Sequence, residues 1–191
     1  MSTKLLHKRV AKSAKHFLAA VVFNESSKAT LHEAQGTLLP CIGFYYVCFH
    51  SAVSMLWLCE SLPEEKMTRL RHSQLRSFVE IHLCQARKLE RGFLEQYEQL
   101  QDLREYANYN FGSKAPKYEY PQMKQVVEVV AESTLLQTRE VLVTELQTRD
   151  QLFEFQTVIG DDIGDDLIKL HSGPLVAKQV WDYLLKSSLT T

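Results

Sequence analysis

Residues 42–58 read IGFYYVCFHSAVSMLWL, a stretch without one lysine, arginine, aspartate or glutamate. It is short for a membrane span, which needs about 20 apolar residues. It also carries His50, Ser51 and Ser54, with Glu33 and Glu60 as flanking charges and no basic residue close by to set an orientation. The expectation is a helix at the centre of a helical core, not a membrane segment.

The rest of the chain fits around such a helix. Glycine (7) and proline (5) are scarce in 191 residues, and no window alternates for long with period two, so the expected fold class is all-α. A first helix is expected over about residues 4–23, with Leu6, Val10, Ala14, Phe17 and Val21 as its apolar stripe. Residues 24–27 read as a polar turn, and a second helix covers 28–59 with a kink at Pro40. Ser61-Leu-Pro-Glu64 reads as a capping box opening a third helix that reaches the high eighties. Leu70, Phe78, Ile81, His82 and Leu89 are its inward candidates. A fourth segment covers 93–106, residues 108–120 form a loop, and Pro121 opens a long helix lasting to about Val158. Its stripe includes Val130, Leu135, Leu142, Leu146 and Phe153. The domain division is therefore a helical bundle over 1–158 and an extension over 159–191. That extension pairs the acidic run GDDIGDD with a final helix bearing Trp181, Tyr183 and Leu184, suited to docking or to a partner.

Composition narrows the function classes. Net charge is −1, so any nucleic-acid contact must come from a local patch. Cys41, Cys48, Cys59 and Cys84 form no CxxC pair, which argues against structural zinc; the first three fall in one apolar segment and read as buried thiols in a reducing, cytoplasmic setting. The start of the chain lacks a long apolar h-region. There is no HExxH, no EF-hand loop, no GxGxxG, no GxxxxGK[ST] and no GxSxG. No metal and no cofactor is expected.

Two segments point further. In FYYVCFHSAVSMLW, Tyr46, His50, Val53 and Trp57 share one helical face and Tyr45, Phe49 and Ala52 a neighbouring one. In DLREYANYNFG, residues 102–112, an arginine is followed at once by aromatic and asparagine side chains. FYYVCFHSAVSMLW resembles the YYAxFHAAxALL helix of HEPN domains, small all-helical domains. RHSQLRSF at 71–78 is similar to their third-helix segment, DLREYANYNFG to their LRxxADY segment, and PQMKQVVEVVAESTLLQTREVL to their closing helix. The resemblance covers roughly residues 5–145, in the family's order.

That resemblance implies a HEPN-like antiparallel helical bundle with a helical C-terminal extension. It implies a toxin–antitoxin or defence-associated protein, a homodimer whose cleft near Arg104 binds RNA or nucleotide. Many such domains are metal-independent ribonucleases with an R-x(4–6)-H motif. Arginine grips the scissile phosphate, and histidine moves protons to or from the 2′-hydroxyl and the leaving oxygen. Here Arg104 takes the arginine's place, and the histidine position holds Tyr109. With an ordinary pKa near 10, a tyrosine is a poor base at neutral pH. The expected catalytic pair is thus Arg104 and Tyr109, in a degenerate ribonuclease. The expected RNA- or nucleotide-binding set is Arg104, Glu105, Asn108, Tyr109, Tyr106, His50 and His72. The alternative is a non-catalytic interaction module binding a protein partner, such as a nucleotidyltransferase that would modify Tyr106 or Tyr109. Literal R-x(4–6)-H matches at Arg76/His82 and Arg9/His16 read as chance; six steps of about 100° put Arg76 and His82 on largely opposite faces. A histidine such as His50 can equally be a core residue with one hydrogen bond.

Overall fold

A computed structural model describes residues 3–33, 39–109 and 120–162, with only the backbone at several helix ends. Among the described residues seven α-helices run in order: α1 (Thr3–Glu33), α2 (Leu39–Trp57), α3 (Glu64–Thr68), α4 (His72–Val79), α5 (Gly92–Tyr109), α6 (Tyr120–Thr148) and α7 (Leu152–Asp162). A π-helical turn, Glu80–Cys84, continues α4. No strand occurs among the described residues, so the all-α class holds. The expected loop at 110–119 and the extension beyond Asp162, with Trp181, Tyr183 and Leu184, lie outside the described residues.

The apolar run becomes the hub. Helix α2 packs against α1, α4, α5 and α6, and every residue from Ser51 to Cys59 is buried. Among the described residues, no helix is long and apolar enough to cross a membrane. Phe17 and Leu18 of α1, Phe44 and Leu56 of α2, Phe93 and Leu100 of α5, Leu135 and Leu146 of α6 and Phe155 of α7 lie in one core. Full burial of each such side chain contributes about 1.5–3 kcal/mol before entropy is charged against it.

Helices α1 and α2 are antiparallel. Their cross-contacts pair residue 9 with 57, 13 with 54, 16 with 50 and 23 with 46, rising along one helix and falling along the other. Ser13 and Ser54 exchange hydrogen bonds: Ser13 Oγ donates to the Ser54 carbonyl (2.9 Å) and Ser54 Oγ to the Ser13 carbonyl (2.8 Å). At Gly43 the helices come so close that a Cβ would collide with Ser27 Oγ.

The end of α2 is closed without glycine. Its last four carbonyls lack partners inside the helix. Ser13 takes that of Ser54, the Leu58 and Cys59 amides take those of Met55 and Leu56 (3.1 and 3.0 Å), and buried Arg9 takes that of Trp57 (3.3 Å). Arg9 also donates to the carbonyls of Cys59 (2.7 Å) and Leu62 (2.5 Å). A cation at a helix C-terminus is favoured by the helix dipole as well.

Several boundaries differ from the sequence reading. Residues 24–27 are no turn: α1 runs through to Glu33, with Asn24 and Ser27 buried. The expected capping box does not form; Pro63 occupies the N-cap of α3 without a side-chain bond, and Ser61 Oγ lies 3.2 Å from His82 Nδ1. The single third helix is divided into α3, α4 and the π-helical turn. It ends at Arg87, φ 57°, where the Lys88 amide reaches the Leu83 carbonyl (2.9 Å) and the Arg87 amide that of Cys84 (3.0 Å). The long last helix breaks in the same way at Asp150, φ 55°, with Gln151 bonded to Leu146 and Asp150 to Gln147. Both are Schellman ends, here with arginine and aspartate in the left-handed place that glycine usually takes. The break at Asp150 turns Phe153 outward, 81% exposed, and Ile81 is 49% exposed rather than inward.

Candidate functional site

Tyr45, Tyr46, Phe49 and His50 sit within little more than one turn of α2 and so cover two adjacent faces. Three helices converge on them. From α4 comes its first residue, His72, whose ring stacks on Phe49 (centroids 4.1 Å apart, 25° between planes). The Tyr45 hydroxyl is 2.7 Å from His72 Nδ1 and 2.9 Å from the Tyr97 hydroxyl of α5. Two turns further along α5, the Arg104 guanidinium lies over the Tyr45 ring, its Cζ 5.1 Å from the centroid. Such a cation–π contact contributes about 0.5–2 kcal/mol depending on its exposure to water. Tyr45 and Tyr97 are buried, His72 is exposed, and Arg104 is intermediate.

Burial pushes the Tyr45 and Tyr97 phenols above their ordinary range, so both remain protonated hydrogen-bonding groups at neutral pH. The His72 imidazole is held below its ordinary range, first by burial and second by the Arg104 charge, so it is uncharged at pH 7. An uncharged imidazole can accept a proton, and a guanidinium at the same cluster can grip an oxyanion. The ring faces can stack on a nucleobase.

On the α1 side, His16 Nδ1 is 2.9 Å from His50 Nδ1, with ring centroids 5.2 Å apart. Phe23 stacks on both His50 (5.5 Å, 11°) and Tyr46 (5.1 Å). Burial lowers both imidazoles to about 4, with Lys12 a second cause for His16, and His16 and His72 further causes for His50.

Of the expected residues, the fold thus brings Arg104 and His72 together through Tyr45. His50 is placed on the adjoining face against α1. Glu105, half-buried, accepts a hydrogen bond from Gln101 Nε2 (3.0 Å), and its charge reaches Tyr45; Tyr106 is half-buried. Asn108 and Tyr109 end α5, and their side chains lie outside the described residues. Arg76 pairs with Glu98, and His82 with Ser61, so each half of that literal motif engages a different partner. Arg9 and His16 likewise serve different neighbours.

The sequence reading had no place for Tyr97 or for the hydroxyl of Tyr45. A spacing signal existed, since Tyr97 and Arg104 are seven apart on one helix face. Among the described residues, no group of three or more histidine, cysteine, aspartate or glutamate side chains is arranged to hold a metal ion. No protein-family model, no curated protein and no solved structure matches this chain.

Proposed function

We propose that this chain is a HEPN-like protein that binds RNA or a nucleotide at the Arg104–Tyr45–His72 cluster. The observation that carries the reading is the placement of Arg104 over Tyr45, whose hydroxyl meets His72: a phosphate-gripping cation and an exposed, uncharged imidazole drawn from different helices. Phe49 and Tyr46 add ring faces beside them. The protein works in the cytoplasm as a toxin–antitoxin or defence component and pairs as a homodimer; its four cysteines are free thiols.

Fluorescence anisotropy with labelled single-stranded RNA, in EDTA, tests this. Wild type is expected to bind, and Arg104→Ala to bind about tenfold or more weakly, as removal of one charge-assisted interaction implies. Equal binding by the two proteins, or none by wild type, removes the reading.

A second reading, a non-catalytic module for a protein partner such as a nucleotidyltransferase, is favoured by Val129 and Leu136. They lie seven apart on α6 and are 60% and 48% exposed. Co-purification of a stoichiometric partner, lost in a Val129→Glu/Leu136→Glu double variant, would support it.

A further inference from the structure

The short α3 and the first two turns of α4 enclose a cavity of about 380 Å³, lined by Glu65, Lys66, Arg69, Gln74 and Phe78. That volume falls within the range of small-molecule sites, about 300–1,000 Å³. Glu65 and Arg69 stand four apart and Lys66 and Arg69 three apart, so all three lie along one side of the α3 segment. Gln74 and Phe78, also four apart, share one side of α4. They are set about 200° and 240° round that helix from His72. The cavity therefore opens away from the cluster around Arg104, and none of its residues belongs to that cluster.

The wall from α3 carries charges that no other side chain neutralises. Among the described residues, no ion pair or side-chain hydrogen bond engages Glu65, Lys66 or Arg69, whereas Arg76, Lys88, Arg91 and Arg149 all pair with glutamates. Even Glu65 and Arg69, one helical turn apart, stay separate. On α4, Gln74 Oε1 accepts the Arg71 amide (3.1 Å), and its Nε2 hydrogens remain as donors. Half-buried Phe78 packs against the core, and its ring meets His82 edge to face (centroids 6.0 Å apart). It is thereby held as an apolar wall. Burial first and the Lys66 charge second keep the His82 imidazole below its ordinary range, so it brings no third cation at pH 7.

The lining thus offers three donors, one acceptor and one ring. A bare anion would use the donors and be repelled by Glu65, and a bare cation would meet the reverse. A molecule with a carboxylate and an ammonium on one carbon, and an apolar group beyond it, engages every residue. We propose that this cavity binds a free α-amino acid with a large apolar side chain. Arg69, with Lys66 and Gln74, takes the carboxylate, Glu65 takes the ammonium, and Phe78 packs on the side chain. A peptide terminus does not suit the site, because it has only one of the two charges on the same carbon.

Calorimetric titration of the full chain tests this, with L-phenylalanine as the probe. N-acetyl-L-phenylalanine lacks the ammonium, L-phenylalaninamide lacks the carboxylate, and L-alanine lacks the ring. Wild type is expected to bind L-phenylalanine saturably and each of the other three about tenfold or more weakly. Arg69→Ala and Glu65→Gln should each weaken L-phenylalanine by about tenfold. Glu65→Gln should leave the N-acetyl form unchanged, and Arg69→Ala should leave the amide unchanged, a selectivity that a damaged fold would not show. Arg104→Ala should bind L-phenylalanine as wild type does. No binding of L-phenylalanine by wild type overturns the proposal, as does equal binding of the N-acetyl form. Tighter binding of inorganic phosphate or adenosine monophosphate than of L-phenylalanine also overturns it and makes the cavity an anion site. None of these results bears on RNA binding near Arg104, which stands or falls by its own titration.

Discussion

The Tyr45 hydroxyl stands 2.7 Å from His72 Nδ1, and the same oxygen is 2.9 Å from the Tyr97 hydroxyl. One buried phenol thus joins α2, α4 and α5. Tyr45→Phe keeps the ring under Arg104 and removes only the oxygen. Tyr97 is buried, so its hydroxyl then loses its partner at a cost of about 1–3 kcal/mol. Urea unfolding of Tyr45→Phe should show that loss, and the double variant Tyr45→Phe/Tyr97→Phe should recover part of it. No recovery would mean that the two hydroxyls are not coupled.

Salt dependence offers a sharper view of Arg104 than affinity at one condition. Removing a cation that neutralises one phosphate of a single-stranded nucleic acid reduces the slope of log K against log salt by about 0.7. Arg104→Ala should lower the slope by that amount. Arg104→Lys should keep the slope yet bind more weakly, because a lysine cannot make the two-pronged contact. Anisotropy titrations from low to physiological salt check both statements.

The His16–His50 pair predicts acid sensitivity. Both pKa values are about 4 in the fold against an ordinary 6.5. Below pH 6.5 the unfolded chain takes up protons that the folded one refuses, so unfolding becomes easier as pH falls from 6.5 towards 4. The stability is fully present above 6.5. Each histidine contributes a slope on the order of 1.4 kcal/mol per pH unit inside that window. Urea melts at pH 7 and pH 5 should differ accordingly, and His50→Gln should flatten the dependence by about half of the pair's share.

Gly43 supplies a test of the α1–α2 approach. Gly43→Ala pushes a methyl group into Ser27 Oγ, and overpacking of this kind costs about 1–3 kcal/mol. Gly43→Ala/Ser27→Ala should be closer to wild type than the sum of the single variants. Thermal melts of the four proteins complete the cycle; strict additivity would show that the helices part freely.

How much of this could be read from residues alone depends on the signal each feature leaves. The hub helix was legible because residues 42–58 hold no lysine, arginine, aspartate or glutamate, and Val10, Ala14, Phe17 and Val21 lie buried as their spacing required. The breaks at Arg87 and Asp150 were not, because neither left-handed residue is a glycine. The polar stretch 24–27 read as a turn, although Ser27 is small and polar where Gly43 passes close by. At the site, Arg104 could be singled out by its neighbours in the chain, but the hydrogen bond between Tyr45 and His72 spans 27 positions and leaves no periodic mark. The seven-residue spacing of Tyr97 and Arg104 marks a shared face of one helix, but the pairing of the Tyr97 hydroxyl with Tyr45 across helices is written in three dimensions only.

Arg9 gives the α2 terminus a distant dependency. The Trp57, Cys59 and Leu62 carbonyls receive a guanidinium from a residue about fifty positions earlier, so they are completed only when α1 has docked. An opening that lifts α1 therefore also uncaps the last turn of α2. Backbone amides in those two distant segments should exchange with solvent as one cooperative unit, although nothing in the chain order joins them.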